Sequence, residues 1–180
     1  MNALSISTRL ASRRRSTSSL AFLRLLVWDG TRAGLAGGMA MTASAVLLAA
    51  AYGSNAWLPL QTIGTLALGP ALAQAGFVAA PVLAGLLIQL AVSALLGMLF
   101  VLITRSIWQL PSDLGVPAVS GLTFGLLVWL AGYLMLPVWL PELMVVVLPA
   151  FIMQHIAFGT TLSLVYARLR PQPYASTREA

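Results

Sequence analysis

The chain contains no cysteine, no lysine, a single histidine and four acidic residues in 180 positions. Without cysteine there is no disulfide framework, no thiol nucleophile and no thiolate zinc site. Charged residues make up 8% of the chain, against about 25% in an ordinary soluble domain. That scarcity excludes a disordered or coiled-coil protein and a conventional water-facing surface. One histidine, with no acidic pair inside any apolar stretch, leaves no carboxylate–histidine metal site and no assembled catalytic triad. A glycine-rich phosphate loop outside the apolar stretches is also missing. No catalytic residue, metal or cofactor is therefore assigned.

What is present is apolar length. Hydrophobic residues form 59% of the sequence and the mean hydropathy is +0.93. Residues 33–104 contain no Asp, Glu, Lys or Arg. A helix needs about 20 apolar residues to cross roughly 30 Å of hydrocarbon, and four segments qualify: 33–52, 81–104, 116–136 and 143–167. Pro81 and Pro117 suit first helical turns, Pro137 follows the third segment, and Pro149 lies inside the fourth, where it predicts a kink. The expected fold class is all-α: a polytopic membrane protein built as a four-transmembrane-helix bundle.

The charges supply a threading direction. Arg9, Arg13, Arg14, Arg15, Arg24 and Arg32 precede the first segment, Arg105 follows the second, and Arg168, Arg170 and Arg178 follow the fourth. With four spans, all ten Arg fall on one side together with Asp29, Asp113 and Glu179; Glu142 alone lies opposite. The net +6 thus divides into +7 and −1. By the positive-inside rule the expectation is an inner (plasma) membrane protein with both termini in the cytoplasm. Tail arginines with no recognition motif beside them read as topology and headgroup charge, so no nucleic-acid partner is expected.

The flanks carry finer expectations. Residues 1–32 read as a basic cytoplasmic tail and 168–180 as a second one. The Arg- and Ser-rich start resembles both an organelle presequence and a bacterial tail, and the exclusive use of Arg over Lys favours the bacterial tail. Leu20 to Trp28 is too short to span and predicts an N-terminal interfacial helix. Between the first two spans lies an uncharged segment of Gly, Pro, Trp and Gln. Within it, residues 60–75 predict an outer re-entrant or interfacial helix broken near Gly69-Pro70. Small residues at four-residue spacing predict close helix packing at Gly34, Gly38, Gly97, Gly121, Gly125 and Gly159. The series Gln89, Ser93, Gly97, Phe100 and His155, Gly159, Ser163, Tyr166 share one spacing, which suggests that the two hairpins are repeats.

Intramembrane ionisable groups are functional suspects, and His155 sits near the middle of the fourth expected span. Three roles are open to it. It hydrogen-bonds across the bundle to Gln89, Gln154, a hydroxyl or water; it contacts a proton or substrate; or it ligates a haem, with Met153 or another protomer's His155 as the second ligand. Gln89, Ser93, Gln154 and His155 together form the candidate polar intramembrane site.

Several short motifs carry a resemblance: Gly34-x-x-x-Gly38 with Met41, Trp57-Leu58-Pro59, Gln89 to Phe100 (QLAVSALLGMLF), Gly125-Leu-Leu-Val-Trp129 with Leu136-Pro137, and His155-x-x-x-Gly159 with Tyr166. In these the chain resembles small bacterial four-helix inner-membrane proteins, a domain-of-unknown-function class loosely akin to the YagU-like proteins. The resemblance spans residues 34–166 and implies location and fold without a reaction. The family pattern often has His where this chain has Gln89, so half of a His pair is missing here.

The functional expectation is a non-enzymatic integral membrane protein whose partners are the lipid bilayer and either itself or another membrane protein. The alternatives are a small oligomeric transporter or channel with a polar path at Gln89 and His155, and a haem- or quinone-associated membrane protein.

Overall fold

A computed structural model describes residues 3–69, 76–107, 115–139 and 148–169; side chains are described from Leu23 onward, apart from 25, 105–107, 136–139 and 148. Everything regular among these residues is helical: α1 (Ala3–Ala51), α2 (Leu58–Leu68), α3 (Ala79–Ile107), α4 (Gly115–Trp139) and α5 (Leu148–Leu169). Four stretches within them are long and apolar enough to cross a membrane: Leu26–Ala51, Ala79–Thr104, Gly115–Met135 and Pro149–Leu169.

Two boundaries differ from expectation. α1 runs unbroken through Leu20–Trp28, so the interfacial helix is not a separate element, and the apolar stretch opens at Leu26 rather than at residue 33. Nothing in this segment stops a helix: it has no proline, and one glycine costs only about 1 kcal/mol. The two charges drawn into the stretch are accommodated differently. Asp29 is buried, whereas Arg32 is exposed and lays its guanidinium over the Trp28 ring, 5.6 Å from the centroid. At the other end of the chain, Pro149 is the second described residue of α5, and the residues before it, where the expected kink would show, lie outside the described residues. α4 continues two residues past Pro137. Residues 143–147, which begin the fourth expected span, lie outside the described residues, as do 70–75 at the expected break after Gly69.

α1 is the central helix, packed against both α3 and α5; α4 packs on α5 and α2 on α3. α3 and α5 run antiparallel to α1, so the bundle has an arginine end, where α1 enters and α5 leaves, and a far end. Towards the arginine end lies an apolar core of Ala33, Phe100, Val101, Phe124, Phe158, Leu162 and Tyr166. Phe100 ties three helices together, its ring edge-on to Phe124 of α4 at 5.1 Å and to Tyr166 of α5 at 6.0 Å. Each such pair contributes about 0.5–1.5 kcal/mol beyond burial.

At the far end α2 folds back on the first turns of α3. Gly64 and Gly85 lie at the crossing: a Cβ on Gly64 would run into Pro81 O, and one on Gly85 into Leu60 O. α2 stops at Gly69, whose φ of +87° is one that L side chains rarely adopt. Side-chain amides bind the connection. Gln61, fully buried, donates from Nε2 to Gly76 O at 2.7 Å. Asn55 Nδ2 donates to the same carbonyl at 2.9 Å and to Gln61 Oε1 at 3.3 Å. Trp57 packs edge-on against Phe77 at 5.1 Å. The outward face of α2 is apolar, with Leu58, Leu66 and Leu68 exposed.

Candidate functional site

Two glycine seams hold the six nominated glycines together with Ser93 and His155. In the α1/α3 seam, a Cβ on Gly34 would strike Ser93 O, and one on Gly38 would stand 2.5 Å from Ser93 Oγ. Gly97 faces Gly30 O, and a Cβ there would stand 2.6 Å from Gly34 Cα. In the α4/α5 seam, Gly121 and Gly159 face each other's carbonyls, and Gly125 faces His155 O. Such contacts let glycine Cα–H groups meet carbonyl oxygens across the helices, at about 0.5–1 kcal/mol each. The six nominated glycines therefore sit inside the chain's own seams.

The seams correspond, in a register the sequence reading did not choose. Gly97 meets Gly30 and Gly34 as Gly159 meets Gly121 and Gly125. On that correspondence Ser93 is the counterpart of His155, and Gln89 that of Phe151. The match of Gln89 with His155 is displaced by one helical turn.

Of the polar candidates, Ser93, Gln154 and His155 are buried and Gln89 is half-buried. They are not brought into one hydrogen-bonded site. Ser93 belongs to the α1/α3 seam and His155 to the α4/α5 seam. Among the described residues His155 pairs with its own helix: Nδ1 donates to Phe151 O at 2.8 Å. A carbonyl oxygen only accepts, so a hydrogen resides on Nδ1, and in the neutral ring Nε2 is then a lone pair. The ring also stands edge-on to Phe151, with centroids 4.5 Å apart. Along α5, His155 lies six residues after Pro149, about 9 Å of rise.

This geometry bears on the haem reading. Met153 is 57% exposed while His155 is 6% exposed. Residues two apart on a helix do not share a face, so Met153 and His155 do not flank one iron from one protomer. Among the described residues, no group of three or more His, Cys, Asp or Glu side chains stands together.

Three buried polar atoms have no hydrogen-bond partner among the described residues: Thr42 Oγ1, Trp129 Nε1 and Ser163 Oγ. Sequence reasoning gave Trp129 a place only in a resemblance motif and missed its buried N–H. It likewise missed Gly30, Gly37, Gly64 and Gly85, all of which are close-approach positions. Gly37 meets Phe158 O, where α1 crosses α5. For Gly30 a signal existed, since Gly30, Gly34 and Gly38 form one four-residue series.

Comparison with family models, with curated proteins and with solved structures finds no match to this chain. The resemblance to YagU-like proteins thus rests on its short motifs alone.

Proposed function

We propose that the chain is a multi-pass membrane protein that acts through its helix surfaces, as a homo-oligomer or an accessory subunit of a membrane complex, and performs no chemistry of its own. The observation that carries this reading is the edge position of α4. Its backbone seam runs along α5, and Val116, Val119, Leu122, Leu127, Leu130 and Leu134 remain exposed around the rest of its circumference. The glycines that would otherwise suit a partner are spent inside the chain, so the partner surface is this larger apolar face. Protein extracted in mild detergent should migrate with a second copy or a second membrane protein bound. A protein-only mass equal to one chain of 19.0 kDa, with nothing co-purifying, would sink the reading.

Placement in the inner membrane with both termini in the cytoplasm belongs to the same proposal, supported by the distribution of the arginines. A C-terminal alkaline phosphatase fusion should be inactive and a C-terminal fluorescent protein bright; the opposite pattern would reverse the threading.

A second reading, a small oligomeric transporter or channel, is favoured by one feature. Thr42, Gln89, Gln154 and His155 lie on three helices towards the far end, opposite the aromatic core. In proteoliposomes that reading predicts solute or proton flux that falls by tenfold or so in His155→Ala, about the loss of one polar contact to a buried group. Absence of flux for every small solute tried counts against it.

A further inference from the structure

Four ring side chains gather at the far end of the α4/α5 seam. His155 stands edge-on to Phe151, and Trp129 stacks on Tyr133 with centroids 5.7 Å apart and planes 24° apart. The seam's register brings these pairs to one level. Gly125 lies against the His155 carbonyl, and a Cβ on Gly132 would stand 3.8 Å from Phe151 Cζ. Trp129 falls between those glycines, four residues after one and three before the other, on the same face of α4. Side chains lean towards the N-terminus of their helix, which carries the His155 imidazole towards Phe151 and the Trp129 level.

Two hydrogen-bonding functions are left over there. Trp129 Nε1–H is buried and has no acceptor among the described residues. His155 Nδ1 is committed to Phe151 O, which turns the Nε2 lone pair away from its own helix. A hydroxyl satisfies both at once: its oxygen accepts from Trp129 and its proton goes to His155. A bare carbonyl would satisfy Trp129 only, and a carboxylate would face the imidazole lone pair. No Asp, Glu, Lys or Arg occurs in residues 115–139 or 148–167 to neutralise a charged ligand. The walls are aromatic, which suits a flat ring. The approach is apolar, since Leu130, Leu134 and Met153 are exposed beside the site, so the ligand arrives through lipid.

We infer that the cluster of Trp129, Tyr133, Phe151 and His155 binds the ring hydroxyl of a membrane-soluble hydroquinone-type headgroup. Trp129 Nε1 donates to the hydroxyl oxygen and His155 Nε2 accepts its proton in a hydrogen bond. The inference stands apart from the partner-binding reading, and either fails without the other.

The test uses the full chain in dodecylmaltoside under argon, with 2-decylhydroquinone as the probe and its dimethyl ether as the partner compound. Titration calorimetry should give saturable binding of the hydroquinone. The ether has the same ring and tail but no O–H, and should bind about tenfold more weakly or worse, as expected for a buried hydrogen bond left unmade. Trp129→Phe keeps the ring and loses the N–H, and should weaken hydroquinone binding to a similar degree at an unchanged melting temperature. No saturable binding overturns the proposal. So does equal binding of the ether, or a folded Trp129→Phe protein that binds as the wild type does. Should Trp129→Phe fail to fold, the comparison of the two compounds on wild-type protein decides the matter.

Discussion

Gly159→Leu is expected to yield protein that melts roughly 10 °C or more below the wild type in detergent, or that fails to accumulate as a monodisperse species. A Cβ at this position would run into Gly121 O and stand 2.6 Å from Gly125 N and 2.8 Å from Gly125 Cα. All three atoms are backbone of α4, so no rotamer change relieves the clash and the helices must separate. Separation unmakes the reciprocal Gly121–Gly159 contact and the Gly125 contact with the His155 carbonyl together. The cost is on the order of 3–5 kcal/mol, at the upper end for overpacking. At about 2–4 °C per kcal/mol for a chain of this size, that gives the expected shift. Gly132→Ala is the matched control. It lies on the same helix pair, but its Cβ would have only Phe151 Cζ nearby, at 3.8 Å. It should be neutral, or stabilising by up to about 1 kcal/mol through helix propensity. Equal melting of both variants and the wild type would show that the seam does not hold the bundle.

The helical class and the approximate spans were legible because they rest on apolar length, which the bilayer dictates irrespective of packing detail. The packing glycines were legible for a related reason, since four-residue spacing puts small residues on one face. What misled was the use of charge as a boundary. Asp29 and Arg32 bounded the first expected span, which cut the series Gly30, Gly34, Gly38 at its first member and shifted the apparent repeat by a turn. Arginine tolerates such a place because its long stem lets the charged head reach the headgroups, here with the Trp28 ring beneath it. A charge near a span end therefore marks where a side chain reaches, not where the helix begins.

His155 shows a second kind of illegibility. Its importance as an ionisable group was plain from the sequence, but its partner was expected across the bundle. The structure gives Nδ1 to a carbonyl four residues back, and no composition pattern distinguishes these outcomes, because both demand only a neutral imidazole and a nearby acceptor. Orphaned atoms such as Trp129 Nε1 are invisible to sequence altogether, since they are defined by what their neighbours fail to offer.

Gly85→Leu should release α2 while leaving the four long helices assembled. The Gly85 Cβ would meet Leu60 O, with Leu60 C at 2.8 Å and Gly64 N at 3.0 Å, so the added side chain occupies the axis of α2 itself. α2 has 11 residues, and helices shorter than about 12–15 residues are marginal in isolation; once undocked it has little reason to stay folded. Undocking also pulls Gln61 from its bond to Gly76 O, which couples the loss of the crossing to loss of the amide network. Backbone amides of 58–68 should lose protection in hydrogen exchange by about two to three orders of magnitude, matching some 3–4 kcal/mol of lost docking, while those of α1 and α5 near Phe158 keep theirs. Gly64→Leu attacks the same crossing from the other side, through Pro81 O, and the double variant should be no worse than either single one, since contacting sites share one interaction. If α2 kept its protection in both variants, the glycine crossing would not be what docks it, and the amide network around Asn55 and Gln61 would have to hold the helix alone. Asn55→Ala with Gln61→Ala separates these cases: with the crossing intact it should lower protection of α2 by a smaller factor, roughly tenfold, because the network adds to a helix already locked in place.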